Sequence, residues 1–149
     1  MINEVSQKEV MQLFEWVNDN DVRFWSFNSY RITFEEHSKW FSEKLADENY
    51  LMYIFKIGIN PIGLVRLEKI NEKVILSYLL DYKFRGNGYA VKTIKLAINS
   101  SRVFCSNLDI FAFTKSKNIA SIKTLERSGF FFEKQTINKL VFKLNMEKS

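Results

Sequence analysis

Cysteine, proline, histidine and glycine are all scarce in this chain: one Cys, one Pro, one His and five Gly in 149 residues. A lone Cys105 excludes a disulfide framework and, with it, a cysteine-based zinc site. No Pro/Gly/Ser-rich linker, internal repeat or low-complexity run divides the sequence, so residues 1–149 are expected to form a single domain, within the usual size of roughly 100–200 residues. No apolar run approaches the roughly 20 residues that a membrane span requires. The opening residues, Met1 to Glu9, are polar rather than signal-like. No membrane partner is therefore expected, the expected compartment is the cytoplasm, and the Asn99-Ser100-Ser101 triplet has no use there as a glycosylation acceptor. What the chain does have is aromatic mass, 14 Phe, six Tyr and three Trp, enough buried surface to offset the entropy of ordering and to exclude disorder. Lys and Arg number 22 against 17 Asp and Glu, a net charge of +5. The basic residues are scattered and never run together, so nucleic acid is not the expected partner; a small polyanionic cofactor suits the same excess.

Periodicity orders the elements. Ser6-Gln7-Lys8-Glu9 is a capping box, with Val10, Leu13, Phe14 and Val17 on one helical face behind it. The polar run Asn18-Asp19-Asn20-Asp21 is expected to end this helix. A second box, Thr33-Phe34-Glu35-Glu36, opens a helix with His37, Trp40, Phe41 and Leu45 on one stripe, reaching about Ala46. Three strands follow over 50–57, 62–70 and 74–82, separated by turns at 58–61 and 71–73, and read as an antiparallel meander. After Arg85-Gly86-Asn87-Gly88 the period becomes helical through Val91, Ile94, Ala97 and Ile98. A strand over 107–113, a helix over 118–128 stopped by Gly129, and a hairpin of 130–136 with 139–146 complete the chain. The order αα-βββ-α-β-α-ββ makes an α/β (α+β) fold with helices on both faces of a largely antiparallel sheet.

Two of the five glycines, Gly86 and Gly88, fall together between a strand and a helix. Backbone amides bared by such a loop, with the positive end of a helix dipole behind them, can grip phosphate. A plain strand-to-helix turn using glycine for geometry alone fits the same residues. The spacing matches neither Gly-x-x-x-x-Gly-Lys-Ser/Thr nor Gly-x-Gly-x-x-Gly in a repeating βαβ unit, which excludes the common nucleotide-triphosphate and dinucleotide loops.

Leu80-Asp81-Tyr82-Lys83-Phe84-Arg85-Gly86-Asn87-Gly88-Tyr89-Ala90 resembles the central motif of the GNAT superfamily of N-acetyltransferases, Arg/Gln-x-x-Gly-x-Gly/Ala, through Arg85, Gly88 and Ala90. Asn118-Ile119-Ala120-Ser121, leading to Ser128-Gly129-Phe130, resembles the family's Asn-x-x-Ala/Ser helix ending in Gly-Phe. The spacing of the two segments and the element order also fit. Within the superfamily, Leu13 to Asp19, Ser26 to Ser29, Glu35 to Phe41 and the Pro61 to Glu68 strand resemble amino-sugar N-acetyltransferases of nonulosonic (pseudaminic and legionaminic) acid biosynthesis. Protein N-terminal acetyltransferases share a similar Trp-containing N-terminal region.

The resemblance implies a twisted mixed sheet of about six or seven strands, splayed at its centre, that binds acetyl-coenzyme A and no metal. The pantetheine arm would pair with the backbone of Tyr78, Leu79 and Leu80, and the diphosphate would sit on amides of Arg85, Gly86, Asn87, Gly88, Tyr89 and Ala90. Asn118 and Ser121 would reach the coenzyme from the neighbouring helix. Direct attack by an amine then needs a proton acceptor and an oxyanion donor, the latter a backbone amide near Leu79 or Leu80. Glu68 is the expected base, with His37 and Tyr78 as further catalytic candidates; an exposed Glu68, a half-buried His37 orienting the N-terminal loop and a core Tyr78 are the structural alternatives. Many family members carry a Tyr as general acid where this chain has Leu125. Arg23, Trp25, Asn28, Trp40 and Arg66 are the residues expected at the acceptor, with solvated arginines and a core Trp40 as the alternatives. The acceptor implied is a small-molecule amine, a nucleotide-linked 4-amino-4,6-dideoxy sugar, with a protein N-terminus, another small amine, or coenzyme binding without turnover as rivals. The assembly is left open, a homodimer included.

Overall fold

The computed structural model describes residues 1–146. Seven strands make one sheet: β1 (Ile2–Glu4), β2 (Tyr50–Ile57), β3 (Asn60–Ile70), β4 (Lys73–Leu80), β5 (Ile110–Thr114), β6 (Phe131–Gln135) and β7 (Leu140–Leu144), in spatial order β1-β2-β3-β4-β5-β7-β6. All neighbours pair antiparallel except β4 and β5, which run parallel. The helices are α1 (Val10–Val17), α2 (Asn20–Trp25), α3 (Phe34–Ala46), α4 (Tyr89–Ser100), α5 (Arg102–Cys105) and α6 (Ile119–Arg127). The mixed, mostly antiparallel sheet flanked by helices is the architecture expected from the sequence.

The first capping box forms, and the second does so in half, with Thr33 capping α3 and its hydroxyl donating to Glu36 Oε1 at 2.9 Å. The Ser6 amide donates to Glu9 Oε1 at 3.0 Å, and the Glu36 amide to Thr33 Oγ1 at 3.2 Å. The polar run after α1 does more than end it: Asp19 accepts from the amides of Asp21 (3.1 Å) and Val22 (3.2 Å) and so starts α2, which periodicity did not predict. The same residue types that stop one helix cap the next. β3 begins at Asn60, two residues earlier than expected, because Pro61 stands opposite Lys56 where the β2–β3 register slips between Phe55 and Lys56. A bulge is where a strand tolerates a residue with no N–H. β5 starts later than expected, since Ser106 (φ 48°) and Asn107 (φ 64°) first turn the chain out of α5, another helix not predicted.

Alternation along β3 divides the core between the two faces of the sheet. Val65 and Leu67 join Val74, Leu76, Ile94, Ile110, Leu125 and Phe142 on the α4–α6 side; Leu64 joins Leu13, Val17, Phe41, Ile54 and Leu79 on the α1–α3 side. Cys105 is fully buried in the first layer, and burial pushes its thiol pKa up, which keeps it an unreactive structural thiol.

Gly63 of β3 is held to glycine by close approach. A Cβ there would lie 2.7 Å from Leu80 Cδ2 and 2.9 Å from the Leu79 carbonyl oxygen. Gly63→Ala is expected to lower stability by about 1–3 kcal/mol, the usual cost of overpacking, in urea unfolding. Because the clash falls on the end of β4, it also disturbs the wall of the cavity described next.

Candidate active site

β4 and β5 separate almost as soon as they meet. Only Val74 with Ile110 and Ile75 with Phe111 are paired, yet β4 continues to Leu80 and β5 to Thr114. Beyond the split, residues 76–80 keep β3 on one side and leave the other edge without a strand. A cavity of about 460 Å³ fills the gap, walled by β3, β4, β5, α2, α6 and the bend before α4. An open edge inside a cavity is a slot for a ligand that can pair like an extended peptide.

The bend at the end of β4 is built by two αL glycines, Gly86 (φ 80°) and Gly88 (φ 78°), the second capping α4. Among the described residues, no acceptor takes the amides of Gly86 through Val91, so a row of donors at the positive end of a 12-residue helix stands open. Arg85 shapes this bend. Its guanidinium donates to the Leu80 carbonyl from Nε (3.1 Å) and Nη2 (2.8 Å), to Asp19 Oδ1 (3.0 Å) and to Asp21 Oδ2 (3.1 Å). The Arg85 side chain is thereby a clamp tying the end of β4 to α2, with four of its five N–H donors spent. Asp81 completes the brace, accepting from Trp16 Nε1 at 3.0 Å and from the Lys83 amide at 3.0 Å. Asp19, Asp21 and Asp81 were missed from the sequence; only the long-range partners reveal what they hold.

Of the residues expected at a coenzyme, Tyr78, Leu79, Leu80, Arg85, Gly86, Ala90, Asn118 and Ser121 line the cavity. Gly88 belongs to the same bend; Asn87 donates from Nδ2 to the Arg85 carbonyl (3.3 Å) and is exposed, and Tyr89 packs edge-on against Phe84 instead. Asn118 caps α6, its Oδ1 accepting from the Ser121 amide at 3.2 Å. The Tyr78 hydroxyl donates to Ser121 Oγ at 3.3 Å, and burial raises its pKa, so it stays protonated. Leu125, one turn on from Ser121, lines the same wall.

The expected bases are placed elsewhere. Glu68 is absent from the cavity walls; its carboxylate lies 3.1 Å from Lys44 Nζ on the α3 side. His37 is 2% exposed between Phe14, Trp40 and Phe41. Its Nε2 is 3.0 Å from the Val10 carbonyl, an acceptor, so Nε2 carries the proton; burial lowers the pKa and keeps the ring neutral. It ties α3 to α1. The acceptor set divides likewise. Trp25 and Arg66 line the cavity, Arg66 Nε donating to Ser77 Oγ at 3.0 Å. Arg23 is spent on its own loop, donating to the carbonyls of Val17 (2.6 Å), Asn28 (2.9 Å) and Tyr30 (3.1 Å). Asn28 turns that loop by accepting from the Tyr30 amide (3.0 Å), and Trp40 packs edge-on against Tyr50. The placements of Glu68, His37, Arg23, Asn28 and Trp40 share one cause: a sequence shows which groups could react, not which are already paired. Among the described residues, no group of three or more His, Cys, Asp or Glu could hold a metal, and no helix is long and apolar enough to cross a membrane.

A sheet parted at its parallel pair, with an amide-lined bend leading into a helix, defines an α/β fold built to hold an extended, phosphate-bearing ligand. Residues 1–131 match the family model described as an acetyltransferase (GNAT) domain, and the chain belongs to that family. Solved structures share the whole fold. A spermidine N-acetyltransferase from Vibrio cholerae, in complex with CoA and spermine, superposes with a TM-score of 0.86 at 17% identity, covering 98% of this chain and 95% of that one. A domain from Methanocaldococcus jannaschii gives 0.83 at 18% identity, covering 98% and 97%. The aminoglycoside acetyltransferase AAC(6')-Ib with ribostamycin and coenzyme A gives 0.81 at 16% identity, covering 98% and 92%. No curated protein matches the sequence.

Proposed function

We propose that this chain transfers an acetyl group from acetyl-coenzyme A directly to the primary amine of a small molecule. The observation that carries the reading is the free edge of β4 running straight into the bend of unused amides. That combination fits a ligand with a peptide-like arm at one end and a diphosphate at the other. Two of the similar structures support it: each is a complex with coenzyme A, one also with spermine and the other with ribostamycin, both small molecules that carry amines. The nucleotide-linked amino sugar expected from the N-terminal segments has no such support among them, so the reading is held at the level of a small primary amine.

Bound acetyl-coenzyme A supplies an acetyl thioester. Residues 76–80 hold the arm along β4, and the amides of Gly86 through Val91, with the α4 dipole, hold the diphosphate. A backbone amide near Leu79 or Leu80 would donate to the oxygen of the thioester carbonyl as charge develops there. Tyr78 keeps a proton on its hydroxyl, donated to Ser121 Oγ at 3.3 Å until a departing sulfur takes it, and would thereby fill the role that Leu125 cannot. Among the described residues, no free carboxylate or neutral His lines the cavity: Asp21, the one carboxylate among them in its walls, pairs with Arg85. The uncompensated Arg66 guanidinium instead disfavours the charged form of an incoming ammonium, which lowers its pKa and leaves water sufficient to carry the proton away.

Release of free thiol from acetyl-coenzyme A on adding a panel of primary amines tests the proposal; coenzyme binding with no release from any amine would leave a binding module in its place. A second measurement concerns Glu68. Glu68→Gln is expected to leave kcat/KM within about twofold of wild type and to change stability by no more than about 1 kcal/mol, the range of a half-exposed ion pair. A fall of about 100-fold in kcat would restore Glu68 as the base.

A further inference from the structure

Beside the main cavity lies a second cleft of about 360 Å³, and Trp25 stands in the walls of both. It opens between the end of α2, the loop from β5 into α6, and the turn joining β6 to β7. Three lysines, Lys115, Lys117 and Lys139, line it, and among the described residues no carboxylate does. Two of them are fixed. Lys115 is half-buried with Nζ donating to the Phe24 carbonyl at 3.2 Å, and Lys139 is half-buried with Nζ 3.8 Å from the Phe113 ring, itself a wall of the main cavity. Lys117 stands exposed at the mouth. Nothing from the amide bend before α4 contributes to this cleft.

Three ammonium groups in the walls of one cleft, with no carboxylate among the described residues that line it, give the site a positive field that suits an anion. Arg66 extends the same positive field into the main cavity, where Asp21 is already neutralised by Arg85. A polycation such as the spermine named in a similar structure would meet repulsion from both directions. Lysines bind phosphate as point charges, and the exposed Phe24 and half-buried Trp25 offer aromatic faces at the rim.

We infer that the acceptor is an amine joined to a phosphate-bearing portion, which seats on Lys115, Lys117 and Lys139 while the amine reaches past Trp25 into the main cavity. The inference rests on the acetyl-transfer reading for the amine's destination, but the cleft's ligand chemistry stands on its own walls. Phosphate could come from the acceptor or from the coenzyme, and a titration of the coenzyme-saturated protein separates the two. Glucosamine 6-phosphate and glucosamine offer the same amine with and without the charge. The phosphorylated sugar is expected to bind at least about tenfold more tightly, and that advantage is lost in Lys117→Glu and in Lys117→Glu/Lys139→Gln. Coenzyme A affinity should stay within about twofold in both variants. The exposed position of Lys117 keeps the single variant folded, as its unfolding curve would verify. Equal affinities for the two sugars, tighter binding of spermidine, or a variant that loses coenzyme instead of the phosphorylated sugar would each overturn the inference. The titration needs no turnover. Failure of every amine to release thiol would therefore remove the acetyl-transfer reading while leaving the phosphate preference measurable.

Discussion

Gly88→Asp is expected to weaken coenzyme A binding by more than about 100-fold, roughly 2.8 kcal/mol at 1.4 kcal/mol per tenfold, while the protein still folds. Gly88 sits at φ 78° and caps α4, and a Cβ there would meet nothing within 4 Å. Space is therefore not the obstacle. The left-handed backbone costs an L-residue about 1–2 kcal/mol, and Asp tolerates it better than most. The new carboxylate would stand at a helix N-terminus, where Asp is a preferred cap, and would take the amides that the diphosphate needs. Its charge would repel what it did not displace. Gly88→Ala carries the strain without the carboxylate and should bind within about tenfold of wild type. Calorimetric titration of both variants, with urea unfolding as the control on the fold, separates strain from occupancy. Unchanged affinity in Gly88→Asp would mean that the diphosphate does not use this bend.

The parts of the molecule that were legible in the sequence are those governed by local rules. Ser6 with Glu9 and Thr33 with Glu36 are caps whose partners lie three residues away, and both hydrogen-bond. Gly86, Gly88 and Gly129 all adopt the positive φ that glycine permits. The meander of β2, β3 and β4 also follows from alternation, with Leu64 and Val65 on opposite faces as the period requires. What stayed hidden depends on distant partners. Asp19 reads equally well as the end of α1 or the start of α2, and only its contact with Arg85, 66 positions on, shows it bracing the bend.

The same division explains the candidate site. A cavity between β4 and β5 is implied by the one parallel pair in the sheet, but where the strands part was not readable: pairing stops after Ile75 and Phe111. Glu68 and Arg66 lie two residues apart on the same face of β3, yet Arg66 reaches the cavity through Ser77 while Glu68 is taken by Lys44. Arg23 bears a charge that suits a ligand, and three backbone carbonyls of its own neighbourhood use it first. Reactive side chains were identified by type. Their availability is set by packing.

Tyr78→Phe tests the proton donor that packing places in the cavity wall. It is expected to lower kcat by about 100-fold, the lower range for general acid catalysis, with the KM for acetyl-coenzyme A within about twofold because the ring and its burial are retained. The Tyr78 hydroxyl is bonded to Ser121 on the helix that also presents Leu125, so it reaches the wall from β4 where no donor is offered by α6 at position 125. A purely structural role would also be felt in stability, but it would not alter the pH profile. A general acid must be protonated to act, so the rate falls as pH rises through its pKa. Burial moves that pKa above the ordinary tyrosine value of about 10. Wild-type kcat should therefore hold level on the alkaline side until pH exceeds that value, whereas the Phe variant, slower throughout, should show no such descent. Equal kcat in the two proteins would mean that the sulfur leaves as a thiolate unaided, and that a leucine at position 125 needs no substitute.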